Sequence, residues 1–376
     1  MEGRWHRAVR PGDRGVKVKA RARRLHCSSA ELSHSISIGG ASTAREKEMA
    51  GGKVKFGLTL PNRGVVIGAT TVAEMLQLAA DADSSGWDSV WVGDSIFAKP
   101  RLDAMVLMGA IAARTTRVRI GPACFASTPL RNALVLAYQW ASLDFLSGGR
   151  TVFVACQGQP GPGAGAFEKE FAHFGIEPSS RMRRMEEAIE ILRLTSSRED
   201  VDYDGQYWRF RNLTVLPRPI QQPIPIWVTA NPDLKKRRNV EQSYRRVARL
   251  GDGWMTTFKS PEDVQTSLAM IRGYSREMGH ELKLDFEVAI YHNINVNEDR
   301  DEAFAESKRF LDSYYSVDYR QDMLRLWVAA GSPTQCVQSL QRYVDAGATT
   351  ILLRVTGYDQ KRQFKRVTEE ILPAFG

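Results

Sequence analysis

The chain predicts an α/β protein built as a (β/α)₈ barrel (TIM barrel) with insertions, spanning residues 53–376. Three observations carry this. A strand–loop–helix unit recurs eight times from Lys53 onward. The run Thr151-Val-Phe-Val-Ala-Cys156 has no polar alternation, as expected of a parallel strand covered by helices on both faces. No G-x-G-x-x-G follows the first strand, so the runner-up, a doubly wound open sheet, has no dinucleotide fingerprint behind it.

The eight strand slots fall at 54–60, 88–93, 118–125, 151–156, 224–230, 253–257, 286–296 and 349–355. Thr71-x-x-Glu74 forms a capping box for a helix through 84, and a second helix covers 101–115. The third helix is expected to be capped by Ser127 or Thr128, with Pro129 in its first turn and Gly148-Gly149 ending it. A Gly/Pro-rich stretch at 157–166 is too long for a simple connector, and 157–178 is the candidate lid, with Gly161, Gly163 and Gly165 as hinges. Helices follow at about 179–195, 239–250 and 261–278, with a hairpin at 201–216 turning on Asp204-Gly205. Residues 298–330 read as a long helical excursion, Ser332-Pro333 opens another helix, and a terminal helix covers 359–373.

Composition narrows the partners. The net charge is +9, but residues 1–49 hold eleven Lys/Arg against five acids, so six of the nine charges lie there. The rest of the chain is near neutral, which argues against a nucleic-acid footprint. No apolar run approaches the roughly 18 residues of a membrane span. Cys27, Cys124, Cys156 and Cys336 have no metal or CxxC spacing, so free thiols in a reducing, cytoplasmic setting are expected. Residues 1–52 lack an apolar period and are expected to be a disordered extension. Met49 as the true start accounts for them most simply, and an organelle transit peptide is the alternative.

In such a barrel the C-terminal strand ends carry the chemistry. They present Pro61-Asn62, Asp94-Ser95, Ala123-Cys124-Phe125, Cys156-Gln157-Gly158, Thr229-Ala230-Asn231, Thr256-Thr257, Asn293, Asn295, Arg354 and Thr356. These are amides, hydroxyls and backbone groups, with no Cys/His pair, carboxylate pair or metal motif. Such a site suits an organic cofactor that carries the reaction while the protein orients it. Asn231-Pro232-Asp233 is expected to cap a short helix whose N–H groups, with Thr229–Asn231, meet a phosphate. The following Lys235, Lys236, Arg237 and Arg238 either favour that anion or form a solvated face.

The strings KFGLTLPN, LAADADSSGWDSVWVGDS, ARTTRVRIGPAC, PLRNALVLAYQWASLDFLSGGR, IPIWVTANP and RLGDGW resemble the luciferase-like monooxygenase family of flavin- and deazaflavin-dependent oxidoreductases. The resemblance runs from Val54 to the C-terminus. It implies a (β/α)₈ barrel with the cofactor ring at the C-terminal mouth, a homodimer, and a non-proline cis peptide, here Ala123–Cys124. It implies that Pro61, Ala123, Cys124, Cys156, Gln157, Thr229, Ala230 and Asn231 contact the cofactor. Asp94, Ser95 and Asn62 are the catalytic candidates. Gln157 stands where bacterial luciferase has a phosphate-binding Arg. Ser95 stands where many members have an acid–base His, and a hydroxyl is no base near neutral pH.

The leading expectation is a monooxygenase that uses reduced FMN and O₂ on a small organic substrate, with a separate flavin reductase as a possible partner. Its first alternative is a hydride-transfer reductase using the 8-hydroxy-5-deazaflavin coenzyme. A non-catalytic flavin-binding protein is the second.

Overall fold

The computed structural model describes residues 53–158 and 164–376. The expected extension 1–52 and the hinge positions Gly161 and Gly163 lie outside the described residues.

Eleven strands run in chain order: β1 (Lys55–Thr59), β2 (Ser89–Val92), β3 (Arg119–Pro122), β4 (Phe153–Ala155), β5 (Val201–Asp204), β6 (Arg209–Leu213), β7 (Ile226–Thr229), β8 (Gly253–Thr256), β9 (Glu287–Val296), β10 (Val328–Gly331) and β11 (Thr350–Val355). Eight of them form a parallel path, β3-β2-β1-β11-β9-β8-β7-β4. Parallel bridges Ile120–Thr151 and Phe125–Ala155 join its two ends, so the path is a ring. This is the (β/α)₈ barrel that the alternation predicts. Strands β5 and β6 form the expected hairpin outside it.

The helices are α1 (Val72–Ser84), α2 (Ala104–Arg114), α3 (Ala133–Ser147), α4 (Ala164–His173), α5 (Arg181–Ser197), α6 (Arg237–Leu250), α7 (Pro261–Glu277), α8 (Arg300–Tyr315), α9 (Gln321–Arg325), α10 (Pro333–Asp345) and α11 (Gln360–Arg366). Their apolar faces and the outward strand residues form one large core cluster, which includes Leu58, Val90, Ile120, Ile290 and Ile351. The inward residues form a second cluster inside the ring, where Trp91 stacks on Trp227 with centroids 5.1 Å apart. At the N-terminal end of the ring, Glu287 accepts from Arg119 (2.6 Å) and Thr350 (2.9 Å) and plugs the barrel floor. The chemistry is left to the other end.

Four stretches depart from the sequence-based expectation. Helix α3 starts later than Ser127: Thr128–Leu130 is a 3₁₀ turn, and Asn132 caps the helix, its Oδ1 accepting from Leu134 (3.0 Å) and Val135 (3.1 Å). Ser127 and Thr128 are engaged elsewhere: the Ser127 N–H donates to Asp94 and the Thr128 hydroxyl to the Phe125 carbonyl. Gly148 and Gly149 do end the helix at φ 71° and 80°. Asn132→Ala is expected to cost about 1 kcal/mol, read as a melting temperature about 2–4 °C lower.

The candidate lid is not loop throughout, because 164–173 is helical and contains Gly165. The excursion after β9 is not purely helical, because its last three residues belong to β10, which pairs with the overhanging end of β9. The terminal helix passes from α11 into a π turn (Val367–Ile371) and a 3₁₀ turn (Leu372–Phe375). No helix among the described residues is long and apolar enough to cross a membrane.

Candidate active site

The end of β1 turns over the mouth through Pro61, Asn62 and Arg63, all buried. Asn62 Nδ2 donates to the Gly93 carbonyl (2.8 Å) and its Oδ1 accepts from the Gly93 N–H (3.1 Å). This side chain therefore clasps the end of β2. Asp94 Oδ2 accepts from the Ser127 N–H (2.7 Å), and Oδ1 lies 3.6 Å from Arg131. Burial pushes its carboxyl up, against the pull of Arg131. Ser95 Oγ donates to the Lys99 carbonyl (2.7 Å) and accepts from the Lys99 N–H (3.2 Å). All three catalytic candidates thus reach the mouth with a side-chain polar atom bonded to backbone.

The loop that Ser95 closes has a second function. The N–H groups of Ile96, Phe97 and Ala98 converge on Glu170 Oε1 at 2.7, 2.6 and 3.3 Å. Successive amides of this kind form an anion-binding nest. Glu170, on α4, is buried, and Phe97 stacks on Phe174 just beyond that helix. Helix α4 is thereby tied across the β2 end of the mouth. Sequence pattern had no means of finding Glu170, one of two glutamates in a short, mixed helix.

Across the mouth, Ala123 and Cys124 pack on the inner cluster and the bond between them is cis. The Cys124 and Cys156 thiols are free and lie against each other, with Thr229 and the Gly158 N–H beside Cys156. Donation to Cys156, then burial, holds the Cys124 thiol well above its ordinary value. Two buried polar atoms at the strand ends have no partner among the described residues: Thr59 Oγ1 at the end of β1 and Gln157 Oε1 just after β4. Gln157 Oε1 is an acceptor, and the Thr59 hydroxyl can donate or accept. Farther round, Thr229 Oγ1 donates to the Ala155 carbonyl (3.1 Å), and Trp254 Nε1 donates to the Ala230 carbonyl (2.9 Å).

The fifth-strand loop is built differently from the expectation. Asn231 Oδ1 accepts from Thr256 Oγ1 (2.5 Å) and the Thr257 N–H (3.1 Å), which joins the ends of β7 and β8. No helix starts at 231–233. Helix α6 begins at Arg237 with no side-chain cap, and Lys235, Lys236, Arg237 and Arg238 are exposed. The basic run is the solvated face, and the expected helix start is displaced from Asn231 by the bonds that hold its side chain.

The remaining side of the mouth is roofed by aromatics. Tyr314 and Tyr315 from α8 meet Tyr291 of β9 and Trp327, whose Nε1 donates to the Tyr291 carbonyl (3.1 Å). Arg354 of β11 donates to Tyr315 Oη (2.8 Å) and lies 4.2 Å from the Tyr314 ring centroid. Lys99 Nζ sits 4.7 Å over the Tyr315 ring. Burial, with Arg101 and Arg63 beside it, pulls the Lys99 ammonium down to about 8. Gly93 admits the Arg101 guanidinium, which occupies the space that a Cβ would take. Of these groups the strand-end reading reached only Arg354. Arg63, Lys99 and Arg101 come from loops without periodicity.

Residues 54–350 match the description of the luciferase-like monooxygenase family. The chain belongs to that family. Among its curated relatives, an F420-dependent glucose-6-phosphate dehydrogenase of Kineococcus radiotolerans is 28% identical over 330 residues, covering 80% of this chain and 92% of the relative. The same enzyme of Amycolatopsis mediterranei is 26% identical over 329 residues, covering 80% and 93%. Among solved structures, an F420-dependent secondary alcohol dehydrogenase in complex with an F420–acetone adduct superposes with a TM-score of 0.71 at 18% identity, covering 86% of this chain and all of that one. The monooxygenase RslO1 of Streptomyces bottropensis gives 0.70 at 24%, with the same coverage. Both share the family's fold. An oxidoreductase acting through a flavin or deazaflavin is the activity common to this membership and these relatives.

Proposed function

We propose that the chain is a deazaflavin-dependent oxidoreductase, which exchanges a hydride between coenzyme F420 and a small organic substrate. The observation that carries this reading is the likeness, over four fifths of the chain, to relatives named as F420-dependent dehydrogenases. It takes precedence over the FMN expectation, and it requires neither O₂ nor a separate flavin reductase.

The residues present fit such a ring. Gln157 Oε1 is a buried acceptor without a partner, suited to a ring N–H, and the unpartnered Thr59 hydroxyl can donate to or accept from a ring polar atom. Pro61, Ala123, Cys124, Cys156, Gln157, Thr229 and Ala230 would hold it, with Asn231 bracing the fifth-strand loop. When bound, the deazaflavin supplies the hydride chemistry, and the protein contributes position and exclusion of water. Asn62, Asp94 and Ser95 act as positioning residues, since each fixes backbone at the mouth.

A titration of the full chain tests the reading. F420 is expected to bind saturably, at least about tenfold more tightly than oxidised or reduced FMN, a gap of about 1.4 kcal/mol. Tight FMN binding with substrate-dependent oxygen uptake would restore the monooxygenase reading. Tight FMN binding with no turnover would leave a flavin-binding protein.

A further inference from the structure

Arg354, Arg63 and Lys99 lie against the Tyr314–Tyr315 pair and Arg101 lies beside Arg63 and Lys99, and among the described residues none of the four forms an ion pair. Arg354 is 1% exposed and Arg63 8%, and each has an Nε without a hydrogen-bond partner. Arg63 spends its other nitrogens on the Pro100 carbonyl (3.1 Å) and Ser316 Oγ (3.0 Å), and its N–H donates to Tyr314 Oη (3.1 Å). Among the described residues Arg101 donates only to the Lys99 carbonyl (3.1 Å). Asp94 acts on Arg101, but from beyond ion-pair distance, and its own oxygens face Arg131 and Ser127.

Buried guanidinium groups are ordinarily paired, because removing them from water is costly. Faces of tyrosine rings and one hydroxyl offset only part of that cost for Arg354. Arg63, Lys99 and Arg101 also repel one another. A bound anion removes both penalties together. Arginine's planar fork matches the oxygens of phosphate, sulfonate or carboxylate.

We infer that Arg354, Arg63 and Arg101, with Lys99, bind an oxoanionic group of the substrate at the β1–β2–β11 side of the mouth. This deepens the oxidoreductase reading and rests on it for the word substrate. It makes the substrate a small molecule with an acidic group, anchored by that group under the tyrosine roof. The β3–β4 wall, with Cys124, Cys156 and Gln157, is left to the coenzyme ring. The other source of the same chemistry is the coenzyme's own acidic tail.

The experiment uses the full chain and two single variants, Arg354→Met and Arg101→Gln. Melting temperature is followed against inorganic phosphate, with chloride at matched ionic strength, and F420 affinity is measured separately. Wild type should show a saturable rise with phosphate. Each variant should need at least about tenfold more phosphate for the same rise, while keeping wild-type F420 affinity. Arg101 is only half-buried, so its variant keeps the test decisive if Arg354→Met fails to fold.

A phosphate response that is absent, or that both variants retain, overturns the inference. F420 affinity that falls in both variants overturns the assignment to substrate and gives the cations to the coenzyme tail. An Arg-dependent phosphate response in a protein that does not bind F420 upholds the anion site, while the deazaflavin reading fails.

Discussion

Gly121→Ala is expected to destabilise the barrel by on the order of 3 kcal/mol, seen as a melting temperature about 5–10 °C lower. A Cβ at this position would lie 2.5 Å from Trp91 Cζ3 and 2.6 Å from the Val152 carbonyl oxygen. The carbonyl belongs to the neighbouring strand segment, which accepts and donates across the β3–β4 closure, so it cannot retreat without opening the ring. Trp91 cannot retreat either, being stacked on Trp227 inside the barrel. Gly109→Ala is the control. Nothing lies within 4 Å of its Cβ position in α2, so the better helix former should raise stability by up to about 1 kcal/mol. A melting curve that does not distinguish the two substitutions would refute this account of interior packing.

Glu170→Ala is expected to release the β2 loop while leaving the barrel intact. It leaves the N–H groups of Ile96, Phe97 and Ala98 without their shared acceptor. Each bond to a charged acceptor is worth about 1.5–3 kcal/mol, and water can recover part of it once the loop opens. Amide exchange at 96–98 should accelerate by at least about a hundredfold, with only a few degrees lost in global melting. Glu170→Gln retains an acceptor oxygen and should fall between the two. Unchanged exchange in the alanine variant would mean that α4 is held by its ring contacts alone. Ser95 and Lys99 sit on the freed loop, so the same variant should also weaken substrate binding.

The barrel was legible because parallel strands buried on both faces leave short apolar runs such as Ile226–Val228 and Ile351–Leu353, and capping chemistry marks the helix starts between them. Strand β10 was not, since Val-Ala-Ala-Gly is too short and too small to carry a period. The start of α3 was misread because three residues within one short stretch, Ser127, Thr128 and Asn132, can all cap. Only their tertiary partners decide that Asn132 does. In the site, strand ends could be counted off, which located Asn62, Asp94, Ser95, Cys124 and Cys156. What those side chains bond to could not be counted off. Asn62 meets a partner 31 residues away, and Glu170 meets partners 72 to 74 residues away. Contacts of that span leave no local trace.

The stretch carrying the tyrosines leaves and rejoins the barrel at one place. It departs from the overhang of β9 and returns as β10 alongside it, with the Asn297 N–H bonded to the Gly331 carbonyl at 2.9 Å. Both ends of the roof are therefore anchored to a single strand, and closing that span costs little more if it lengthens or shortens. The roof behaves as an exchangeable cassette: its contents can be rewritten to suit a new small molecule without renegotiating the staves of the cask beneath.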